Sequence, residues 1–307
     1  MHKNSSILKT ITAQEVALLL PARMNANNVN KSSFGHVVVI GGSIGLLGAP
    51  ILAAHAAMRA GAGMVTVAFP EELENSIASR LSPVAMTFPL KQAFEGTITS
   101  SSANEAVEVT NRSTSVALGP GLGKGAEVNS FVRTFLLGCT IPVVVDADGL
   151  NALAATTDLG VSIITARKAA TILTPHPKEL ARLLGISTES IQADREAAAK
   201  QAVEKYGGVV VLKGHQTIVT APHSPTLQNA NGNPGMATAG TGDVLTGVIA
   251  AMLAQKLDPL HAAIAGVFLH GAAGDLAALS MGGTTGLIAT DLIEFLPKAI
   301  GDCQRTT

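Results

Sequence analysis

The side chains best placed to do chemistry sit in a run of small residues, Asn231-Gly232-Asn233-Pro234-Gly235-Met236-Ala237-Thr238-Ala239-Gly240-Thr241-Gly242-Asp243, followed by Val244-Leu245-Thr246-Gly247. A small-residue loop that opens a helix presents free backbone N–H groups. Together with the helix dipole they form an anion hole suited to phosphate. Asp243 falls in the first turn, beside that hole. Near the positive helix end its carboxylate is expected to stay ionised and to take a proton from a substrate hydroxyl lying next to the phosphate. The competing role for Asp243 is a simple helix N-cap.

Four further segments carry polar or glycine-rich chemistry. Gly41-Gly42-Ser43-Ile44-Gly45-Leu46-Leu47-Gly48-Ala49 follows an apolar run, but its glycine spacing is not G-x-G-x-x-G. The next strand ends at Phe69-Pro70 without an acidic residue, so a dinucleotide-binding Rossmann unit is a poor reading. Gly119-Pro120-Gly121-Leu122-Gly123 and Asp146-Ala147-Asp148-Gly149-Leu150-Asn151 also follow apolar runs. The two acids would help hold Mg²⁺ through water or cap the next helix; capping suits Asp148, and a polar role in the site suits Asp146. In Thr174-Pro175-His176-Pro177-Lys178-Glu179 two prolines restrict the backbone of a histidine, which is either a ligand contact or a structural residue. Lys213-Gly214-His215-Gln216-Thr217 joins two strand-like runs. Its lysine either reaches a phosphate or ribose as a point charge or is an exposed residue in a hairpin turn.

These loops need elements to hold them. A short amphipathic helix is expected around Glu15–Leu20, stopped by Pro21. Strand-like runs lie at 36–40, 64–68, 116–118, 143–145, 171–173 and 209–212, and Ile218-Val219-Thr220 pairs nearby. Helices are expected at 49–59, 126–137, 179–184, 191–206, 244–255, 261–279 and 290–299. Strands alternating with helices predict an α/β fold with a largely parallel central sheet and helices on both faces. Ligands then sit beyond the carboxyl ends of the strands. The expected division is a lead-in over 1–35, one domain over 36–300 and a tail over 301–307.

Composition narrows the function. The 307 residues carry 21 Lys and Arg against 22 Asp and Glu, and aromatics make up only 3%. That balance excludes binding nucleic acid by phosphate neutralisation, and the scarcity of rings excludes base-stacking platforms. Two cysteines make no disulfide framework, which fits a reducing compartment and a cytoplasmic location. No signal peptide is read at the N-terminus. Residues 32–58 lack charge, but five glycines and a proline break the stretch, so no membrane span is expected there.

Taken in order, these segments resemble the ADP/ATP-dependent NAD(P)H-hydrate dehydratase family, whose members have a ribokinase-like fold. The resemblance runs from about Leu18 to Ile300. Beyond the segments already quoted it includes Gly48-Ala49-Pro50, Gly61-Ala62-Gly63-Met64-Val65-Thr66-Val67 and Leu212-Lys213-Gly214. It implies that Ala49, Gly123, His176 and Asp243 contact the hydrated dinucleotide, with Asp243 as the catalytic base. It assigns the adenine nucleotide to Lys213, Gly214, His215, Gln216, Thr217, Gly240, Thr241 and Gly242. It implies ADP or ATP as phosphoryl donor and Mg²⁺ as cofactor, with no ligand set that the residues themselves identify. It also implies a homo-oligomer, with a tetramer in view.

The chain departs from the family pattern at Ser32, Lys178 and Ala239, each standing where glycine is common. Ala239 bears most on function, because a Cβ there would crowd the phosphate loop. With about 35 residues ahead of the first long strand, no fused epimerase domain is expected. Two other functions remain open: a small-molecule kinase on the same fold, and a non-catalytic nucleotide-binding regulatory module. Sixteen of the 31 glycines lie in or beside the site loops, which predicts a grip through backbone and small side chains rather than rings.

Overall fold

The structure, a computed structural model, describes residues 8–21 and 29–306. Among the described residues ten strands form one sheet: β1 (Lys9–Thr10), β2 (His36–Ile40), β3 (Met64–Pro70), β4 (Met86–Leu90), β5 (Ser115–Leu118), β6 (Val143–Val145), β7 (Thr171–Leu173), β8 (Val209–Leu212), β9 (Ile218–Thr220) and β10 (Leu227–Gln228). Their order is β1-β10-β9-β8-β7-β6-β5-β2-β3-β4. Pairing is parallel from β4 through to β8, while β9 runs antiparallel to both β8 and β10. The strand order reverses where β2 meets β5. A crevice at the carboxyl ends is therefore expected there.

Alternation along the strands sends successive side chains to opposite faces. Val37, Val39, Ala117, Val144 and Ile172 pack beneath helices 48–59, 241–254, 259–281 and 289–304. Val38, Ile40, Val116, Leu118, Val143 and Val145 pack beneath the helices of 103–110, 126–138 and 147–166. Both faces are covered, as the near-continuous apolar strands require. The helix Thr241–Ala254 is buried from Val244 onward, and it lies against Gly48–Arg59 so closely that a Cβ on Gly247 would collide with the Ala53 carbonyl. This close approach fixes the helix whose first turn carries Asp243.

The helix Pro259–Met281 is long and apolar enough to cross a membrane, but 67% of its most apolar window is buried inside the fold. It serves as a core helix. The single helix expected over 191–206 is two helices, Thr188–Ala193 and Arg195–Tyr206. Asp194 breaks the run with φ −152° and ψ 83° and accepts the Ala197 N–H as the cap of the second helix. Short side chains such as Asp compete with the helical backbone in this way. The helices Ala103–Thr110 and Thr157–Ala166 and strand β4 are additions to the expected elements. The boundaries drawn at 35 and 300 fall within connected structure. β1 pairs with β10, and the last helix runs from Ala289 to Gln304, where the Cys303 thiol donates to the Ala13 carbonyl.

Candidate active site

Strands β6, β7 and β8 are neighbours, and their carboxyl ends carry Asp146, Thr174–His176 and Lys213 in turn. The β6 and β8 ends meet the start of the helix Thr241–Ala254, where a Cβ on Gly242 would lie 4.0 Å from Asp146 Oδ2. Lys213 Nζ lies 2.5 Å from Asp146 Oδ1, and the Thr246 hydroxyl donates to Asp146 Oδ2 at 2.7 Å. Glu179 Oε2 lies 3.9 Å from the same ammonium. A Cβ placed on Gly242 would stand only 3.3 Å from Lys213 Nζ, so the helix start rests directly on this cation. Lys213 is in a hairpin between β8 and β9, but it is not the exposed turn lysine that the hairpin alone suggests: its side chain is 16% exposed. A buried ammonium persists only with partners, and two carboxylates supply them. Burial works to lower the Lys213 pKa, but the charges of Asp146 and Glu179 overcome it and hold the lysine above its usual value.

Asp243 is the third residue of its helix, and Gly240 occupies the N-cap. The expectation that the helix end keeps this carboxylate fully ionised fails. Burial, followed by the negative charge of Asp146, pushes its pKa up to about 7 against the opposing pull of Lys213. Desolvation of a carboxylate exceeds the modest help of a helix terminus. The result is a base poised near neutral pH. Glu179 is raised to about 7 as well, chiefly by burial.

His176 caps the helix Pro177–Leu184. Its Nδ1 accepts the N–H groups of Lys178 and Glu179 at 3.1 and 3.2 Å, and Glu179 Oε2 accepts the His176 N–H at 2.8 Å. That reciprocal arrangement is a capping box with histidine in the cap position. Nε2 is left 3.4 Å from Glu179 Oε1, and the ring is half-exposed. Burial, then Lys213, lowers its pKa and favours the neutral ring.

Asp148 lies in the first turn of the helix Ala147–Ala154, whose N-cap position is Asp146, and does not cap it. Its Oδ2 accepts the Gly123 N–H at 3.0 Å and its Oδ1 accepts from the Asn151 amide, so it ties the β5 loop to the β6 loop. Ser43 donates to the Gly121 carbonyl at 2.9 Å, and a Cβ on Gly121 would meet Ala49 Cβ at 3.2 Å. Ala49 and Gly123 therefore belong to adjoining loops at the β2/β5 reversal. Ala239 is exposed and outside the left-handed region; that conformation falls on Gly240, with φ +88°. A Cβ at Gly240 would lie 2.5 Å from Leu52 Cδ1, whereas the alanine before it is tolerated.

A cavity of about 450 Å³ opens on the Lys213 side of the helix start. Lys213, Gly214, His215, Gln216, Thr217, Thr241 and Gly242 line it together with residues 229–234. Gly240, Ala49, Gly123, His176 and Asp243 do not. The structure thus divides the sequence-derived residues into a cavity group and a group around Asp243 and the reversal loops.

Several residues of the site escaped sequence reading. Glu179 had a usable signal, because it lies three residues after His176 at a helix start, as in a capping box. Arg195 had none; its guanidinium donates to the carbonyls of Leu212, Lys213 and His215 and holds the β8–β9 turn in shape. His270, which lines the cavity with Nε2 2.9 Å from the Thr241 carbonyl, comes from a distant helix. Burial drives its pKa down to about 4, so it is neutral and donates that bond. Asp275 accepts the Gly232 N–H and the Asn233 amide, clamping the loop before the helix. Among the described residues no group of three or more His, Cys, Asp or Glu could hold a metal ion.

The NAD(P)H-hydrate dehydratase family matches residues 37–298. The chain is 38% identical over 271 residues to an ADP-dependent (S)-NAD(P)H-hydrate dehydratase of Neisseria meningitidis, covering 88% of this chain and 86% of that one. It is 42% identical over 297 residues to a bifunctional NAD(P)H-hydrate repair enzyme of Moorella thermoacetica, covering 96% of this chain but 54% of that protein. The chain therefore spans about half the length of the bifunctional relatives. Among solved structures, the ADP/ATP-dependent NAD(P)H-hydrate dehydratase of Bacillus subtilis, co-crystallised with ATP and Mg²⁺, superposes with a TM-score of 0.80 at 31% identity, covering 96% of this chain and 99% of that one. The fold is ribokinase-like, and the chain belongs to the NAD(P)H-hydrate dehydratase family.

Proposed function

We propose that this chain is an ADP-dependent (S)-NAD(P)H-hydrate dehydratase. It would restore NADH or NADPH that has gained water across the nicotinamide C5–C6 bond. One observation carries the reading: a carboxylate with a pKa of about 7, Asp243, sits in the first turn of a helix whose start borders a nucleotide-sized cavity. Asp243 takes the proton from the C6 hydroxyl. The oxygen attacks the terminal phosphoryl group of ADP, and the bond to the bridging oxygen breaks to release AMP. The ring nitrogen lone pair then expels phosphate from C6, and loss of a C5 proton restores the double bond. The protein's share is positioning and charge, as phosphoryl transfer requires.

Lys213, Gly214, His215, Gln216 and Thr217, with Gly240, Thr241 and Gly242, hold the adenine nucleotide in this reading. Ala49, Gly123 and His176 hold the dinucleotide on the Asp243 side. Lys213 offers a buried cation at the helix start, and Asp146 and Glu179 keep it charged there. The residues fit Mg²⁺ only as an ion carried in by the nucleotide, since phosphates and water supply most ligands of such ions. When bound it neutralises phosphate charge.

The test is recovery of dihydropyridine absorbance from hydrated NADH with ADP or ATP and Mg²⁺. Recovery is expected with AMP and phosphate as products when ADP is used. No recovery with either nucleotide and folded protein overturns the proposal. A stable phosphorylated product without dehydration would instead identify a small-molecule kinase.

A further inference from the structure

The helix cap fixes where His176 carries its proton. Its Nδ1 accepts two backbone N–H groups, those of Lys178 and Glu179, at 3.1 and 3.2 Å. A ring nitrogen that bears a proton cannot accept, so Nδ1 is bare. Turning the ring over would set a C–H against both donors. The neutral ring therefore holds its proton on Nε2 and has no second lone pair to act as a base. Burial, then the charge of Lys213, keeps the ring neutral; Arg182 works the same way and Asp146 opposes. The Nε2–H itself is unspent. Glu179 Oε1 lies 3.4 Å from Nε2, beyond the usual N–H···O length, and Glu179 Oε2 accepts the His176 backbone N–H at 2.8 Å. The side chain is 44% exposed, so this donor is open to a ligand.

The surroundings of this donor and the chemistry of the substrate say what it serves. Nε2 and the Lys213 ammonium stand at the two oxygens of one carboxylate, Glu179, with the ammonium 3.9 Å from Oε2. Lys213 in turn borders Gly242 in the phosphate loop. His176 is thus at the open lip of the cluster that surrounds the phosphoryl group. The phosphorylated hydrate offers two kinds of acceptor. A hydrogen bond to its carboxamide oxygen would draw the ring nitrogen lone pair toward the carboxamide and oppose expulsion of phosphate. A hydrogen bond to the phosphate strengthens as the C6–O bond breaks, because charge collects on that oxygen. We propose that His176 donates its Nε2–H to the departing phosphate and accelerates the expulsion step rather than the phosphoryl transfer. In that step the C6–O bond breaks, its electron pair passes to phosphate, and the ring nitrogen lone pair forms a double bond to C6. The C5 proton then passes to water, since the lone pair of His176 is held by the cap. The inference rests on the dehydratase reading of the site.

Two measurements test it. Long-range proton–nitrogen NMR of the free protein should show His176 neutral at pH 7 with its proton on Nε2; a proton on Nδ1, or a charged ring, overturns the inference. The second is single-turnover quench-flow with hydrated NADH, ADP and Mg²⁺. His176→Asn keeps an acceptor at the cap position and should form AMP within a few-fold of the wild-type rate. Dihydropyridine absorbance should then return about 10²-fold more slowly than in wild type while the phosphorylated hydrate accumulates, the range for one donor lost from a developing anion. His176→Gln carries an N–H at a similar reach and should recover much of that rate, although it caps the helix less well. Equal slowing of AMP formation and absorbance recovery in His176→Asn, or a raised KM with kcat unchanged, overturns the inference and leaves the proposed function standing. Expulsion no faster in His176→Gln than in His176→Asn overturns it too. If His176→Asn does not fold, the NMR spectrum and His176→Gln against wild type decide. No turnover by wild-type protein with either nucleotide sinks both this inference and the proposed function.

Discussion

The two sides of the helix start at Gly240–Asp243 are built on opposite electrostatic plans. The cavity side carries one permanently charged side chain, Lys213, among its lining residues. Its walls are largely backbone, amides and small side chains, and His270, one of its two histidines, is held uncharged by burial. The Asp243 side concentrates three carboxylates and one ammonium in a few buried positions, and two of the carboxylates are raised to about 7. A neutral wall distinguishes ligands by matching donors to acceptors and needs no charge of its own. A crowded charged cluster does something a neutral wall cannot: it places a pKa where proton transfer at neutral pH needs it. Lys213 is the hinge of the comparison, because it borders the cavity and neutralises the cluster.

Substitutions can separate the two sides. Asp243→Asn should lower kcat by ~10²-fold or more while AMP binding and thermal stability stay near wild type. Turnover within a few-fold of wild type would reduce Asp243 to a structural residue and erase the functional contrast between the sides. Lys213→Ala should affect both. It strands Asp146, which is 1% exposed, and losing one member of a buried pair costs about 3–5 kcal/mol. Denaturant melts should show that loss, and the nucleotide KM should rise in whatever protein folds. An unchanged KM would remove Lys213 from the nucleotide side.

Gly240→Ala should cost about 1–2 kcal/mol from the left-handed backbone alone, with the Leu52 contact adding to it. Ala239→Gly should change activity little, since residue 239 is exposed and its backbone is unstrained. A larger effect at 239 than at 240 would mean that the loop rearranges when nucleotide binds.

The smallest expected effect is a shift in pH dependence. With Asp243 as base, kcat/KM should rise as pH increases through about 7. Glu179 contributes negative charge that raises the Asp243 pKa, so Glu179→Gln should move that limb to lower pH. The limb staying in place would show that burial and Asp146 alone set it. Stability should move oppositely to activity. Asp243 and Glu179 hold protons in the folded protein that they have lost in the unfolded chain between about pH 4.5 and 7. Unfolding free energy should therefore decline as pH rises through that window.

Much of this architecture was legible in the residues. Apolar runs of β-branched residues marked β2, β3, β5, β6, β7, β8 and β9, because a strand buried on both faces must be apolar at every position. The phosphate loop and Asp243 were legible for a local reason as well, since a helix start is formed by consecutive residues. The break at Asp194 and the capping role of His176 were missed, although both are short-range. A polar residue in an alanine-rich run reads equally well as a solvated face, and a histidine between prolines reads equally well as a ligand.

The sequence by itself determined which loops follow strands and which residue stands in the first turn of the helix Thr241–Ala254. It could not determine the pKa of that residue. Asp243 was expected to be ionised from the helix it starts, and its proton affinity is set by burial and by Asp146, 97 positions away. Only the tertiary structure joined Asp146 to Lys213 and Thr246 and turned Asp148 toward Gly123. Hydrogen bonds within a turn are written in neighbouring residues. Desolvation and charge pairing depend on which strands lie side by side, here β6, β7 and β8.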